Sequence, residues 1–479
     1  MERILTNSQM RDADKYTIDK LGISSEELVE RAGLAVADEI NRRFLGGRIL
    51  VCIGNGNNGA DGQVVAKLLS TRHGFTVNTI NVSNGIFKAF EKEYDIIVDC
   101  IFGTGLNREV EGKYKKAIEL INASNAFVVS CDIPSGLNGD TGIPMGIAVK
   151  SNLTIAIQEF KLGHFINDGP DYCGEVIAKD IGISIWGDDY VTRLSKSFVK
   201  TFFDERKRNV HKGNFGKACV FGGSKSFPGS VLLSLNALTT LKMGVGYSNI
   251  AFPETIYKSV AGIIPECTVT PIKDENGNVV FAEESLKNII KNNAISFGMG
   301  IGVSIEVYKA LEYLLKNYKG NLLIDADGLN TLAEYGLDIL KSASCNIVVS
   351  PHIGEFSRLT KRSKQEILSN EIEIAKGFAK QYNVVVVLKS SSSIITDGEK
   401  VVLNTTGCSG LAKGGSGDVL SGVICGLLAR CENHFDAACV GPYIFGLAGE
   451  FAQKEQNEYS ITATDVINNI YKAIDFVRD

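Results

Sequence analysis

Lys389-Ser390-Ser391-Ser392-Ser393, followed by Cys408-Ser409-Gly410-Leu411-Ala412-Lys413-Gly414-Gly415-Ser416-Gly417-Asp418-Val419-Leu420, is the stretch that decides the fold. The apolar run Val384 to Leu388 leads into its first part and reads as a strand, and Val419 to Leu428 reads as a helix. Glycines and small hydroxyls ahead of a helix turn backbone N–H groups toward an anion, and the helix dipole adds to the attraction. Asp418 stands at the helix start, where phosphate is expected. A carboxylate there repels phosphate unless it has a chemical task. The task that fits is to take a proton from a hydroxyl that attacks phosphorus. No Gly-x-x-x-x-Gly-Lys-Ser/Thr occurs, so this is not a Walker loop. The competing reading is a glycine-rich turn that merely caps a core helix.

Working outward, 479 residues exceed what one core organises, and two or three domains are expected. Strand-like runs alternate with helices: Arg48 to Ile53, Asp61 to Ser70 (helix), Thr76 to Val82, Ile96 to Asp99, Lys113 to Asn122 (helix) and Phe127 to Cys131. Buried β-branched runs followed by helices predict parallel sheets covered on both faces. The rhythm breaks over Gly187 to Gly216, which holds Asp204-Glu205-Arg206-Lys207-Arg208, and resumes at Lys217. The break predicts an N-terminal Rossmann-like α/β domain over residues 1–200 and a second three-layer α/β domain over 201–479.

A net charge of -5 without a long basic run argues against nucleic-acid binding. No apolar run is long enough to span a membrane, and the N-terminus lacks a signal-peptide core, so a cytoplasmic protein is expected. The 11 cysteines are odd in number and form no C-x-x-C, which fits buried thiols in a reducing compartment. Histidines number 5 and show no metal-ligand spacing in sequence. A homo-oligomer is expected.

Gly54-Asn55-Gly56-Asn57-Asn58-Gly59-Ala60-Asp61-Gly62 follows a strand and opens a helix. It contains a G-x-G-x-x-G, the dinucleotide fingerprint. The acidic residue that should end the second strand and hold the ribose is absent from Asn81-Val82-Ser83-Asn84. A loop that binds phosphate while offering amide oxygens to a substrate or ion fits better. Two more strand ends belong to the same sheet edge: Asp99-Cys100-Ile101-Phe102-Gly103-Thr104-Gly105 and Cys131-Asp132-Ile133-Pro134-Ser135-Gly136. Ligands of open parallel sheets bind at that edge. Asn58, Asp99 and Ser135 could there hold a hard cation, leaving Asp132 as acid/base. Each aspartate alone would be read as a turn residue; three such strand ends together read as a site.

The N-G-N-N-G-x-D-G, D-x-x-F-G-T-G and D-I-P-S-G motifs together resemble the NAD(P)H-hydrate epimerase family over roughly residues 1–200. The resemblance implies substrate contacts from Asn57, Asn58, Gly59, Ala60 and Asp61, and from Gly103, Thr104, Gly105, Leu106, Asn107, Arg108 and Glu109. It implies potassium on Asn58, Asp99 and Ser135, and Asp132 as the substrate-contacting acid/base. Ala60 stands where the family commonly has glycine.

The second half carries Gly222-Gly223-Ser224, Gly298-Met299-Gly300-Ile301-Gly302, Asp325-Ala326-Asp327-Gly328-Leu329-Asn330 and Pro351-His352-Ile353-Gly354-Glu355-Phe356-Ser357-Arg358, each after a strand. With His211-Lys212-Gly213-x-x-Gly216 and Ala412 to Asp418, these resemble the ribokinase-like, ADP-dependent NAD(P)H-hydrate dehydratases. The resemblance implies that Gly300, Gly302, His352, Ile353, Gly354, Glu355, Phe356, Ser357, Arg358 and Asp418 contact the hydrated dinucleotide. It implies ADP on Lys389, Ser390, Ser391, Ser392 and Ser393, and on Cys408, Ser409, Gly410, Leu411, Ala412, Lys413, Gly414, Gly415, Ser416 and Gly417. Cys408 to Leu411 replaces the more usual Asn-Pro-Gly-Met, and Ser390 a common glycine.

The implied substrates are the hydrates NADHX and NADPHX, which carry a hydroxyl at C6 in two epimers. The implied reactions are epimerisation in the first domain and dehydration of the S epimer in the second. ADP is the co-substrate, giving AMP and phosphate, and Mg2+ is the expected counter-ion. The alternative is a ribokinase-like small-molecule kinase fused to an accessory nucleotide-binding domain, which Gly-Ser-Gly-Asp alone does not exclude. A nucleotide-sensing scaffold would have lost Asp132 or Asp418, and both are present.

Overall fold

Gly47–Ile53, Ile96–Cys100 and Phe127–Cys131 are almost wholly apolar, which suits strands covered on both faces. They form the middle of a six-stranded parallel sheet ordered Phe75–Asn81, Gly47–Ile53, Ile96–Cys100, Phe127–Cys131, Leu153–Ile157, Glu175–Lys179. Helices Ser25–Arg43 and Asn57–Ser70 cover one face, packing Val36, Ile40, Val65 and Leu69 on Ile49, Val51 and Val98. Helix Gly112–Asn122 covers the other through Ile118 and Ile121 on Leu50, Ile97 and Val128. The strand order reverses between Gly47–Ile53 and Ile96–Cys100, and the loops leaving these two strands diverge to open a crevice there.

The structure is a computed structural model, and it describes residues 1–85, 87–187, 189–239, 242–257, 263 and 266–479. The chain divides into two compact units, Arg3–Val191 and Thr192–Asp479, the latter taken with Met1–Glu2. In the second unit seven parallel strands run in the order Thr268–Ile272, Tyr247–Pro253, Lys217–Phe221, Ala294–Phe297, Asn321–Ile324, Asn346–Val349, Val385–Leu388. Ile394–Thr396 and Val401–Leu403 extend this sheet antiparallel. Lys389 to Ser393 is the turn at which the sheet changes direction. Helix Ser416–Arg430 is buried nearly all round, between the sheet and the helices Pro228–Thr239 and His434–Glu455. That burial explains why its sequence lacks an amphipathic stripe. Both units are three-layered α/β structures with parallel sheets, as the alternating sequence pattern predicts.

The glycine-rich segments start their helices earlier than the apolar pattern suggests. The first helix begins at Asn57 rather than Asp61, because Gly56 takes the cap position and the asparagines form the opening turn. The second begins at Ser416 behind Gly415, whose φ of +90° is open to glycine and costly for other residues. In each case the small residues are the helix N-terminus itself, with its free N–H groups.

Candidate active sites

In the first unit, a cleft of about 750 Å³ lies over the crevice where the strand order reverses. Asn57, Asn58 and Asp61 line it from the Asn57–Ser70 helix, and Ile101 to Arg108 from the loop after Ile96–Cys100. Gly59 packs against its own loop, where a Cβ would sit 2.0 Å from the Gly54 carbonyl oxygen. Gly59, Ala60 and Glu109, expected as substrate contacts, lie outside the lining. Glu109 is exposed beyond the end of the loop wall.

Beneath the cleft, Asn58, Asp99 and Ser135 meet around the Phe102 backbone. Asn58 Nδ2 donates to the carbonyls of Phe102 (2.7 Å) and Cys131 (3.3 Å). Its buried Oδ1 has no partner among the described residues. Ser135 Oγ accepts the Phe102 N–H at 2.8 Å and donates to Asp99 Oδ1 at 2.6 Å. Asp99 also accepts from Ser135 N, Ser130 Oγ and Ile101 N. Burial pushes the Asp99 carboxyl up, against those hydrogen bonds. A fully buried carboxyl without an ion-pair partner among the described residues, beside an orphaned amide oxygen and two carbonyls, is an all-oxygen donor set that fits a hard monovalent cation.

Asp132 follows strand Phe127–Cys131 with φ +68°, left-handed backbone that non-glycine residues seldom adopt. Three contacts impose it. Its N–H donates to Ile155 O (2.8 Å), its carbonyl lies 2.9 Å from His164 Nε2, and its carboxylate accepts the Ile157 N–H at 3.1 Å. Strain held this firmly is typical of residues that must aim a side chain. The Lys161 ammonium closes on the same carboxylate oxygen and also donates to Ile157 O at 2.7 Å. Lys161 is 1% exposed. Sequence reasoning missed it, although a lysine between Phe160 and Leu162 is the signal of a charge committed to the interior. Asp14 and Arg11, from the N-terminal helix Asn7–Leu21, also line the cleft and carried no local signal.

In the second unit, Asp325, His352 and Lys389 follow the carboxyl ends of parallel strands, and Asp418 comes close to Asp325 and Lys389. Lys389 Nζ pairs with Asp325 Oδ1 at 2.9 Å, and Ser421 Oγ donates to the other carboxylate oxygen. Burial works against the Lys389 charge, but Asp325, Glu355 and Asp418 together hold its pKa above the usual lysine range. Asp418 lies in the first turn of Ser416–Arg430. Burial, then the charge of Asp325, pushes Asp418 up to about 6, while a hydrogen bond from Ser230 and the charge of Lys389 act the other way. Ser230 was not foreseen.

His352 caps helix Ile353–Thr360: its Nδ1 accepts the Gly354 and Glu355 N–H groups, and Glu355 accepts the His352 N–H at 2.8 Å. Burial and the nearby Lys389 and Arg358 charges lower the His352 pKa, so the neutral ring carries its proton on Nε2, which can donate to a ligand. Gly302 N–H binds Asp327 at 2.9 Å, and Arg358 Nε binds Asn330 at 3.0 Å, tying the strand-end loops together. Phe356 departs from its expected role: it is fully buried against Phe378, so its side chain supports the helix from the core. Lys413 Nζ is held by the carbonyls of Tyr459 and Ile461, which leaves its backbone as the part able to face a nucleotide. Gly414 has open space where a Cβ would stand, and a Cβ on Gly417 would lie 3.7 Å from Lys389 Nζ. The helix-start amides, Lys389 and Asp418 thus share one place, as phosphoryl transfer requires.

Comparison with known proteins gives two family matches. The family described as NAD(P)H-hydrate dehydratase matches residues 218–472, and the YjeF-related protein N-terminus matches residues 25–86 and 78–163. The chain is 32% identical to the bifunctional NAD(P)H-hydrate repair enzyme of Archaeoglobus fulgidus, over 95% of each chain. It is 30% identical to that of Thermofilum pendens, over 98% of this chain and 96% of the other. Among solved structures, the ADP/ATP-dependent NAD(P)H-hydrate dehydratase of Bacillus subtilis, co-crystallised with ATP/Mg2+, matches at TM-score 0.51 and 25% identity. That match covers 60% of this chain and 99% of the other.

Proposed function

Because the chain belongs to the family of bifunctional NAD(P)H-hydrate repair enzymes, we propose that its two units divide the repair between them. Arg3–Val191 interconverts the R and S epimers of NADHX and NADPHX, and Thr192–Asp479 dehydrates the S epimer. The observation that carries this reading is the position of Asp418, in the first turn of a buried helix beside the Lys389–Asp325 pair. A kinase-type site turns the C6 hydroxyl, a poor leaving group, into a phosphate, a good one.

In the second unit Asp418 removes the C6 hydroxyl proton, and the oxygen attacks the β-phosphorus of ADP. AMP departs, and the phosphate then leaves C6 as C5 gives up a proton, which restores the ring double bond. Gly414 to Gly417 and Lys389 face the phosphates and offset the charge that builds on their oxygens. Mg2+, held mainly by the nucleotide, would neutralise the remaining phosphate charge. A carboxyl with pKa about 6 is ionised at neutral pH yet basic enough to accept a proton. In the first unit Asp132 is the acid/base at C6. Asn58, Asp99 and Ser135 would hold K+, whose charge offsets the buried carboxylate and fixes the Phe102 loop.

The test is the return of NADH absorbance from hydrated NADH, with ADP and ATP compared in the same assay. A fragment spanning Thr192–Asp479 is expected to fold and to consume the S epimer at the full-chain rate, leaving the R epimer to disappear at its spontaneous rate. Equal consumption of both epimers by that fragment would overturn the division of labour. Nucleotide-independent recovery would overturn the phosphoryl-transfer step.

A further inference from the structure

The two carboxyls of the N-terminal cleft have opposite surroundings. Asp132 carries the Lys161 ammonium and the Ile157 N–H on its carboxylate. Asp61 lines the same cleft from the start of helix Asn57–Ser70. Among the described residues no ion pair and no hydrogen-bond donor reaches it. The groups that face it are acidic: Asp132 across the cleft, Asp14 from helix Asn7–Leu21, and the buried thiols of Cys100 and Cys131 behind it. Arg11 and Arg108 line the cleft without pairing with it, and His164 is engaged beneath Asp132. Burial, then the charges of Asp132 and Asp14, pushes the Asp61 carboxyl up to about 8. Two acids in one cleft, one given a cation and the other denied any donor, are arranged as a proton acceptor and a proton donor.

The substrate needs that pair. C6 of the hydrate is bonded to the ring nitrogen, so its hydroxyl is that of a carbinolamine. Inversion at C6 can proceed by breaking the C6–O bond on one face and forming it on the other. We propose that Asp61 is the proton donor of the epimerase site, opposite Asp132, and that Lys161 is the positioning residue that holds Asp132 for its half of the reaction. The proposal rests on the reading of the first unit as the epimerase. Asp61 gives its proton to the C6 oxygen, the C6–O bond breaks and water leaves. The nitrogen lone pair meanwhile forms a C=N bond, and C6 becomes planar. Water adds to the opposite face, forming a new C6–O bond. Its proton goes to Asp132, and the C=N electron pair returns to nitrogen. The reverse direction exchanges the two roles, solvent exchange resets both carboxyls, and no electron or proton is left over.

The test is NMR exchange between the two epimers, on the full chain with potassium present. Asp61→Asn keeps the side-chain shape and is expected to slow exchange about 10²-fold or more. The wild-type rate is expected to fall as pH rises through about 8, where Asp61 loses its proton, and that alkaline limb is expected to vanish from the residual rate of Asp61→Asn. In oxygen-18-labelled water, each wild-type inversion is expected to place label at C6. Lys161→Met is expected to lower kcat with KM for the hydrate nearly unchanged. A native circular-dichroism spectrum and a retained cooperative melt of the first unit in the same variants show that the epimerase unit itself is folded. Exchange within about threefold of wild type in Asp61→Asn overturns the donor assignment, as does an alkaline limb that persists there. Inversion without label uptake would mean ring opening and closure instead, and overturns the proposed step. A loss confined to KM in Lys161→Met overturns its positioning role. A wild-type protein that does not interconvert the epimers at all tells against the epimerase reading itself.

Discussion

Asp418→Asn is expected to abolish dehydration while ADP binding persists. The side chain stands in the first turn of Ser416–Arg430, where helix-end N–H groups favour an anion. An amide there keeps the shape, relieves repulsion toward phosphate and removes the proton acceptor. Loss of a general base costs about 10²–10⁴ in rate, and more where the same group orients the attacking oxygen. ADP affinity, measured by calorimetry, should hold or tighten, because a negative charge has left the phosphate site. The pH dependence follows from the same group. Burial raises the Asp418 pKa to about 6, so the base is ionised above that value and protonated below it. Dehydration is expected to fall as pH drops through about 6, and this acid limb should be absent from any residual activity of the variant. A variant that dehydrates within about threefold of wild type would remove Asp418 from the mechanism.

The sequence made the strand-end sites legible because their chemistry is local. A helix that starts on Gly56 or Gly415 needs a small residue there, and the small residues mark the spot. Asp132 is found the same way, since an aspartate between a strand and Ile133-Pro134-Ser135-Gly136 sits at a sheet edge by topology alone. What stayed hidden depends on contacts between distant residues. Lys161 reaches Asp132 across 29 positions and Lys389 reaches Asp325 across 64, and no spacing rule connects either pair. Phe356 shows the converse. It lies inside the Pro351 to Arg358 motif, yet helical periodicity turns it into the core while its neighbours Glu355 and Arg358 face the strand ends. A motif marks a segment; the 3.6-residue period decides which of its side chains meet a ligand. Asp132 reads in sequence as the acid/base and Asp61 as a substrate contact, and the placement of Lys161 beside Asp132 is what gives the two carboxyls opposite surroundings.

Asp132→Asn is expected to collapse epimerisation and, unlike Asp418→Asn, to weaken its own unit. The Lys161 ammonium is 1% exposed and has Asp132 as its ion-pair partner, so the amide leaves a buried cation facing a neutral group. Removing one member of a buried pair typically costs about 3–5 kcal/mol, and the adjoining cleft should moderate that by admitting water. Epimer exchange, followed by NMR well below the unfolding temperature, should fall about 10²-fold or more, with dehydration of the S epimer untouched. Full exchange in this variant would sink the acid/base assignment. The proposed cation site beneath the cleft is tested by a different readout. If Asn58, Asp99 and Ser135 hold K+, replacing a bulky organic cation with potassium stabilises the first unit by mass action. At ten times the dissociation constant the gain is about 1.4 kcal/mol. Asp99→Ala should abolish the gain, since it removes the only carboxylate of the donor set, and should lower epimerisation with it. Unlike Asp132→Asn, it leaves the Lys161–Asp132 pair intact, so the two losses have separate causes. A potassium response that survives Asp99→Ala would mean that the buried carboxylate is no ion ligand. Its hydrogen bonds from Ser130, Ser135 and Ile101 would then be its whole role, fixing the turn that carries Asp132.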